Sequence, residues 1–192
     1  MQNCLGIYIE NNLIKYAKVS KDRDTFKVDA FGIRFFDNLN EAIKKIVEET
    51  YSFTTPISIN LANEQYLYYD IFALLSKNDI QKTVETEFET FCDENKYNQK
   101  AFETRYALVS NVQNKERIKA IQVIVNKIEL NKQKQYLEKH NLSGILPIGT
   151  AIASITRFEK KENVLIVNME EKTTITTIYD RQIYNVETID HG

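Results

Sequence analysis

One short stretch of the 192-residue chain has the outline of phosphate chemistry, and a second turn carries similar acidic residues. Residues 5 to 19, LGIYIENNLIKYAKV, read as two strands joined by a tight turn; Glu170-Glu171-Lys172 separates the later strands VLIVNM and TTITTIYD. A turn of this kind can present backbone N–H groups to an oxyanion, and it works best where no Cβ substituent blocks the approach. Both turns carry acid instead. Tyr8, Glu10 and Asn11 form the first, with Lys15 beyond it, and Asn168, Glu170, Glu171 and Thr173 form the second. A glutamate there obstructs the anion and repels it. At about 4 Å two unit charges oppose each other by about 4 kcal/mol at an effective dielectric of about 20. Glu10 and Glu170 also read simply as solvated turn residues; on either reading, phosphate chemistry is not expected there.

Other chemistry finds little support. His140 and His191 have no Cys, His or carboxylate at the spacing a structural zinc site needs. There is no GxGxxG, no Walker lysine loop and no serine in a nucleophile elbow. Cys4 heads an apolar strand and reads as a small buried residue, and Cys92 falls in a helical stretch. Two cysteines so far apart suit a reducing compartment. The net charge of −2 argues against nucleic acid as the main partner. The start MQNCLGIYIENN lacks the basic and apolar regions of a signal peptide, and no run approaches a membrane span.

The elements that must position these turns follow from periodicity. Alternation predicts strands over 4–9, 13–20 and 26–36, with KDRD at 21 to 24 as a turn. Asn38 or Asn40 caps a helix carrying Leu39, Ala42, Ile43, Ile46 and Val47 on one stripe. Ile57, Ile59 and Leu61 mark a fourth strand. A second unit follows: a strand at QYLYYDIFA, a helix over 77–94 capped by Ser76, strands at AFETRYALVSNV and RIKAIQVIVN joined by QNKE, and a helix over 127–140 marked by Ile128, Leu130, Tyr136 and Leu137. The acidic run Glu85, Glu87, Glu89, Asp93 and Glu94 reads as the solvent face of the first of these helices. SGILPIGTAIASI then returns the chain to the first unit, with a short helix over 149–157. VLIVNM reads as a buried central strand, and TTITTIYD and RQIYNVETI complete a second three-stranded meander.

The order β-β-β-α-β, with an insertion after the fourth strand, resembles the actin-like ATPase superfamily. Within it the chain is similar to the PilM-like type IV pilus assembly proteins, relatives of the division protein FtsA. The resemblance rests on LGIYIENNLIKYAKV, on IELNKQKQYLEKHNLSGILPIGTAIASI and on VLIVNMEEKTTITTIYDRQIYNVETIDHG. It implies an α/β (α+β), ribonuclease H-like fold. Residues 1–64 plus 142–160 would form subdomain 1A, 65–141 an inserted β-α-β-β-α subdomain 1C, and 161–192 the first meander of an incomplete second domain. In the family both phosphate loops carry an Asp and then a Gly two residues on. Here Tyr8 and Glu10 stand at the first pair and Asn168 and Glu170 at the second; Lys15 and Thr173 still match, and the second hairpin ends near Gly192.

The resemblance therefore implies no catalysis and no expected cofactor, with ATP and magnesium entering only if the degenerate loops still bind them. It also implies a partner: the cytoplasmic peptide of a PilN-like inner-membrane protein, and hence a cytoplasmic location peripheral to the membrane. Ile59, Leu61, Tyr66, Tyr68, Ile71 and Phe72 are the candidate groove, where an extended peptide could add to a strand edge. The aromatic residues among them also read as ordinary core. Residues 164–190 expose apolar surface and are a candidate for self-association. The rival readings are an actin-like ATPase that polymerises and an unrelated α+β protein-interaction domain.

Overall fold

A computed structural model describes residues 2–23, 25–110, 114–158 and 162–190. Gly192, His191 and part of the QNKE turn lie outside them. The chain divides into two compact units, Met1–Leu61 with Leu130–Leu146 and Ala62–Glu129 with Pro147–Gly192.

The first unit is built on a five-stranded sheet. β1 (Gln2–Glu10), β2 (Leu13–Asp22) and β3 (Thr25–Phe35) form an antiparallel meander, and β4 (Ile57–Asn60) and β8 (Leu142–Leu146) add in parallel on the other side of β1, in the order β3-β2-β1-β4-β8. α1 (Leu39–Glu49) starts where the Asn38 side chain accepts the Glu41 N–H at 3.3 Å. Its stripe of Ala42, Ile43, Ile46 and Val47 packs on Leu5, Ile7, Ile14, Ile57 and Ile59. Leu137, just after α3 (Lys127–Tyr136), joins the same core, whereas Ile128 on that helix is exposed. Cys4, expected to be buried, is partly exposed beside Ser58.

The second unit holds two three-stranded sheets. β5 (Gln65–Phe72), β7 (Arg117–Asn126) and β6 (Phe102–Ser110) lie in that order, all antiparallel. α2 (Lys77–Glu94) covers one face with Ile80, Val84, Phe88 and Cys92, against Ile71, Ala120 and Ile124. Ser76 caps it: its Oγ accepts the Asp79 N–H at 3.2 Å and donates to Asp79 Oδ2 at 2.6 Å. The acidic residues of α2 all face solvent. The other sheet is the meander β9 (Val164–Met169), β10 (Thr173–Tyr179) and β11 (Gln182–Ile189), against which α4 (Ile148–Ala153) packs.

One strand differs from its expectation. VLIVNM is β9, and β9 is an edge strand with Leu165, Val167 and Met169 exposed. A continuous apolar run reports what a strand could bury, not what lies beside it.

Candidate functional site

In the first hairpin the register pairs Tyr8 with Lys15 and Glu10 with Leu13, which leaves Asn11 and Asn12 as the turn. Asn11 adopts φ 49°, a left-handed conformation that asparagine tolerates better than most residues, so no glycine is needed. The Lys15 ammonium sits 5.7 Å from the centre of the Tyr8 ring, within reach of a cation–π contact. Beneath the turn lies a residue that the sequence did not single out. Asn60, at the end of β4, accepts the Ile9 N–H at 2.7 Å and donates to Ile9 O at 3.0 Å. Its side-chain amide thus continues the strand pairing of β1 where the backbone of β4 turns away. The Asn60 carbonyl in turn accepts from Gln133 Nε2 at 3.0 Å. Both amide side chains are buried.

The second hairpin has a longer loop. Met169 pairs with Thr173, so Glu170, Glu171 and Lys172 span the gap. None of the three has a positive φ. Lys172 pairs with Asp190 at 2.9 Å. Asn168 lies opposite the buried Thr174, and Thr173 is paired on both sides, with Met169 and with Ile189. Each tip thus brings its own candidate residues together: Tyr8, Glu10, Asn11 and Lys15 in one unit, Asn168, Glu170 and Thr173 in the other. Each presents glutamate and neither contains glycine.

The six groove candidates separate. Ile59 and Leu61 are buried within the first unit, and Ile71 is buried under α2. Their apolar surface is already spent on these cores. Tyr66 and Tyr68 use their hydroxyls inside the second unit. Tyr68 Oη donates to Val186 O at 2.6 Å and accepts from Val186 N at 2.7 Å, which pins the outer edge of β11. Burial pushes this phenol up to about 12. Lys119 lies over both the Tyr68 and Tyr184 rings, 4.8 and 4.2 Å from their centres, and burial lowers its pKa. Phe72 remains exposed at the end of β5, with the Arg117 guanidinium 4.7 Å from its ring centre.

Tyr66 belongs to a polar clamp that the sequence did not reveal. α4 begins at Ile148 after Pro147, which offers no side-chain cap. Glu64 supplies one from the start of β5: its carboxylate accepts the Ile148 N–H at 2.8 and 3.0 Å and the Tyr66 hydroxyl proton. The Tyr66 oxygen accepts the Gly149 N–H at 3.2 Å. Gly149 is required there, since a Cβ would come within 2.7 Å of Val186 Cγ2. Burial drives the Glu64 carboxyl up to about 7, against the opposing pull of these hydrogen bonds.

With this geometry in hand, comparison with known proteins is informative at the level of fold. A chain of the PilM-PilN type IV pilus biogenesis complex matches with a TM-score of 0.75 at 13% identity, over 97% of this chain and 61% of that one. The two share a fold. The cytoplasmic domain of EpsL, an inner-membrane component of the type II secretion system of Vibrio cholerae, matches with a TM-score of 0.69 at 14% identity, over 98% of this chain and 71% of that one. No protein-family model matches the chain, and no curated protein sequence does. The chain spans about 61% of the length of its pilus-complex counterpart. The β-β-β-α-β order with an insertion after the fourth strand, expected from the sequence, is the arrangement observed.

Proposed function

We propose that this chain is a non-catalytic, PilM-like scaffold of a type IV pilus or related secretion assembly platform, and that it holds the cytoplasmic peptide of a PilN-like inner-membrane protein. The observation that carries the reading is the fold shared with the pilus complex across 97% of the chain. The acidic hairpin tips support the non-catalytic part, because backbone that carries Glu10 and Glu170 is poorly suited to wrap a triphosphate. The peptide's place is β5, an edge strand of its sheet that ends in the exposed Phe72 and the Arg117 above it. An extended peptide adds to such an edge through its main chain and anchors an apolar side chain beside the ring. Among the described residues no helix is long and apolar enough to cross a membrane, so the proposed peripheral position at the inner face depends on the partner. Self-association through 164–190 would use β9, since Tyr68 already occupies the outer edge of β11 at Val186.

Isothermal titration tests the reading. Mg-ATP is expected to give no binding heat, while the partner's cytoplasmic peptide binds and loses affinity in Phe72→Ala. Micromolar binding of Mg-ATP would overturn the non-catalytic assignment in favour of an active, polymerising ATPase.

A further inference from the structure

β3 turns its apolar side away from its own core. Arg34 pairs with the fully buried Ile14, and Gly32 pairs with Tyr16, whose ring occupies the space a Cβ would need. The polar and small residues of β3 therefore face α1, where Arg34 forms a two-pronged contact with Glu49 at 2.7 Å. Phe26, Val28, Phe31, Ile33 and Phe35 face outward, with exposures of 49, 57, 77, 67 and 74%. A bulge between the Val28 and Ala30 pairings keeps the two ends of this stripe on one face. A register slip of one residue would reverse the arrangement, so the sheet holds the stripe outward by specific contacts.

We infer that this outward face of the first sheet is a homodimer surface, on which a second copy of the chain packs face to face with its strands reversed. The stripe leaves on the order of 500 Å² of apolar surface exposed, at the upper end for one patch on a monomer. The half-buried Leu13, Ala17 and Val19 on the adjacent strand widen it towards the roughly 800 Å² per partner of a standard interface. Charge selects the occupant and its direction. On this face of β1 and β2, Glu10 lies at one end, with Lys15 of β2 one pair further along, and Lys21 lies at the other end. A reversed copy sets Lys21 of each chain against Glu10 of the other, whereas a parallel copy sets lysine on lysine.

The test is light scattering on the whole chain. A dimer is expected, and Phe31→Arg should raise its dissociation constant at least about tenfold while circular dichroism stays unchanged, because Phe31 is exposed. Lys21→Glu should weaken the dimer, and adding Glu10→Lys should restore it. Val167→Glu on β9 should leave it intact, which separates this surface from self-association through 164–190. A strict monomer at sub-millimolar concentration, or a dimer that survives Phe31→Arg, would overturn the surface. Failure of the charge swap to restore affinity would overturn the reversed arrangement.

Discussion

β1 and β9 each open a three-stranded meander, and they end up in different surroundings. β1 is flanked on both sides, by β2 and by the parallel β4, and α1 covers its Leu5 and Ile7. Among the described residues β9 pairs only with β10, and its Leu165, Val167 and Met169 are exposed. β9 nevertheless has the more continuous apolar sequence. The difference shows that strand composition does not decide burial; the elements packed beside the strand do. After β3 comes an amphipathic helix and a returning strand. The second meander instead gains its support from segments earlier in the chain: Glu64 and Tyr66 fix α4 against β11, and Tyr68 holds Val186. The first meander is secured mainly by apolar burial, the second largely by polar pins.

The sharpest way to break this contrast is at α1. Ile46 is fully buried in the first core, and Ile46→Ala removes three carbons from a packed site. A loss of about 2–5 kcal/mol is expected by chemical denaturation. Hydrogen exchange should rise in β1–β3 well before it rises in β9–β11. Equal acceleration in both meanders would show that they do not stand on separate supports.

That division was only partly legible beforehand. Short-range signals were readable. The strand alternation, the stripe of α1, and the Asn38 and Ser76 caps each involve residues a few positions apart, and the 77–94 helix and the strand at 117–126 emerged with the bounds expected. What could not be read depends on distant partners. Asn60 acts on a residue 51 positions away, and Glu64 on one 84 positions away. Nothing in QYLYYD distinguishes a tyrosine that pins a strand from one that awaits a partner, because the same amphipathic ring serves both. The acidic tips were visible as residues, while the left-handed Asn11 and the differing loop lengths required coordinates.

A smaller effect probes the polar pins by pH. The Glu64 carboxyl stands near 7 in the folded chain, against an ordinary 4.5, with burial as the main cause. The folded state therefore holds this proton more tightly than the unfolded chain. The stabilisation from this group is full below about 4.5 and is lost as pH rises through about 7. On the order of 2–3 kcal/mol is expected across that window. Asp29 acts in the opposite sense, since its hydrogen bond with Ser20 lowers its pKa and its contribution fades only as pH falls further. Denaturation midpoints measured from pH 4.5 to 8 should decline in the native chain and flatten in Glu64→Gln. A native profile that rises over the same range would remove Glu64 from the account of how α4 is held.

The smallest expected effect runs the other way, towards greater stability. On the covered face of the second meander, Thr176 lies between Ile166 and Val186, the residue that Gly149 of α4 approaches most closely. Thr176 is fully buried, and among the described residues its Oγ1 is the buried side-chain atom with no hydrogen-bond partner. A buried hydroxyl that makes no bond has given up its water for nothing. Its neighbours on the strands to either side are the branched aliphatics that valine resembles, and β-branched residues suit a strand. Thr176→Val should therefore stabilise the chain, by about 1 kcal/mol, since it removes the desolvation cost and keeps the shape. Equilibrium denaturation reads the sign directly. Destabilisation would mean that the hydroxyl is satisfied in solution by an enclosed water, and the second meander would then depend on one more polar pin than Glu64, Tyr66 and Tyr68 supply.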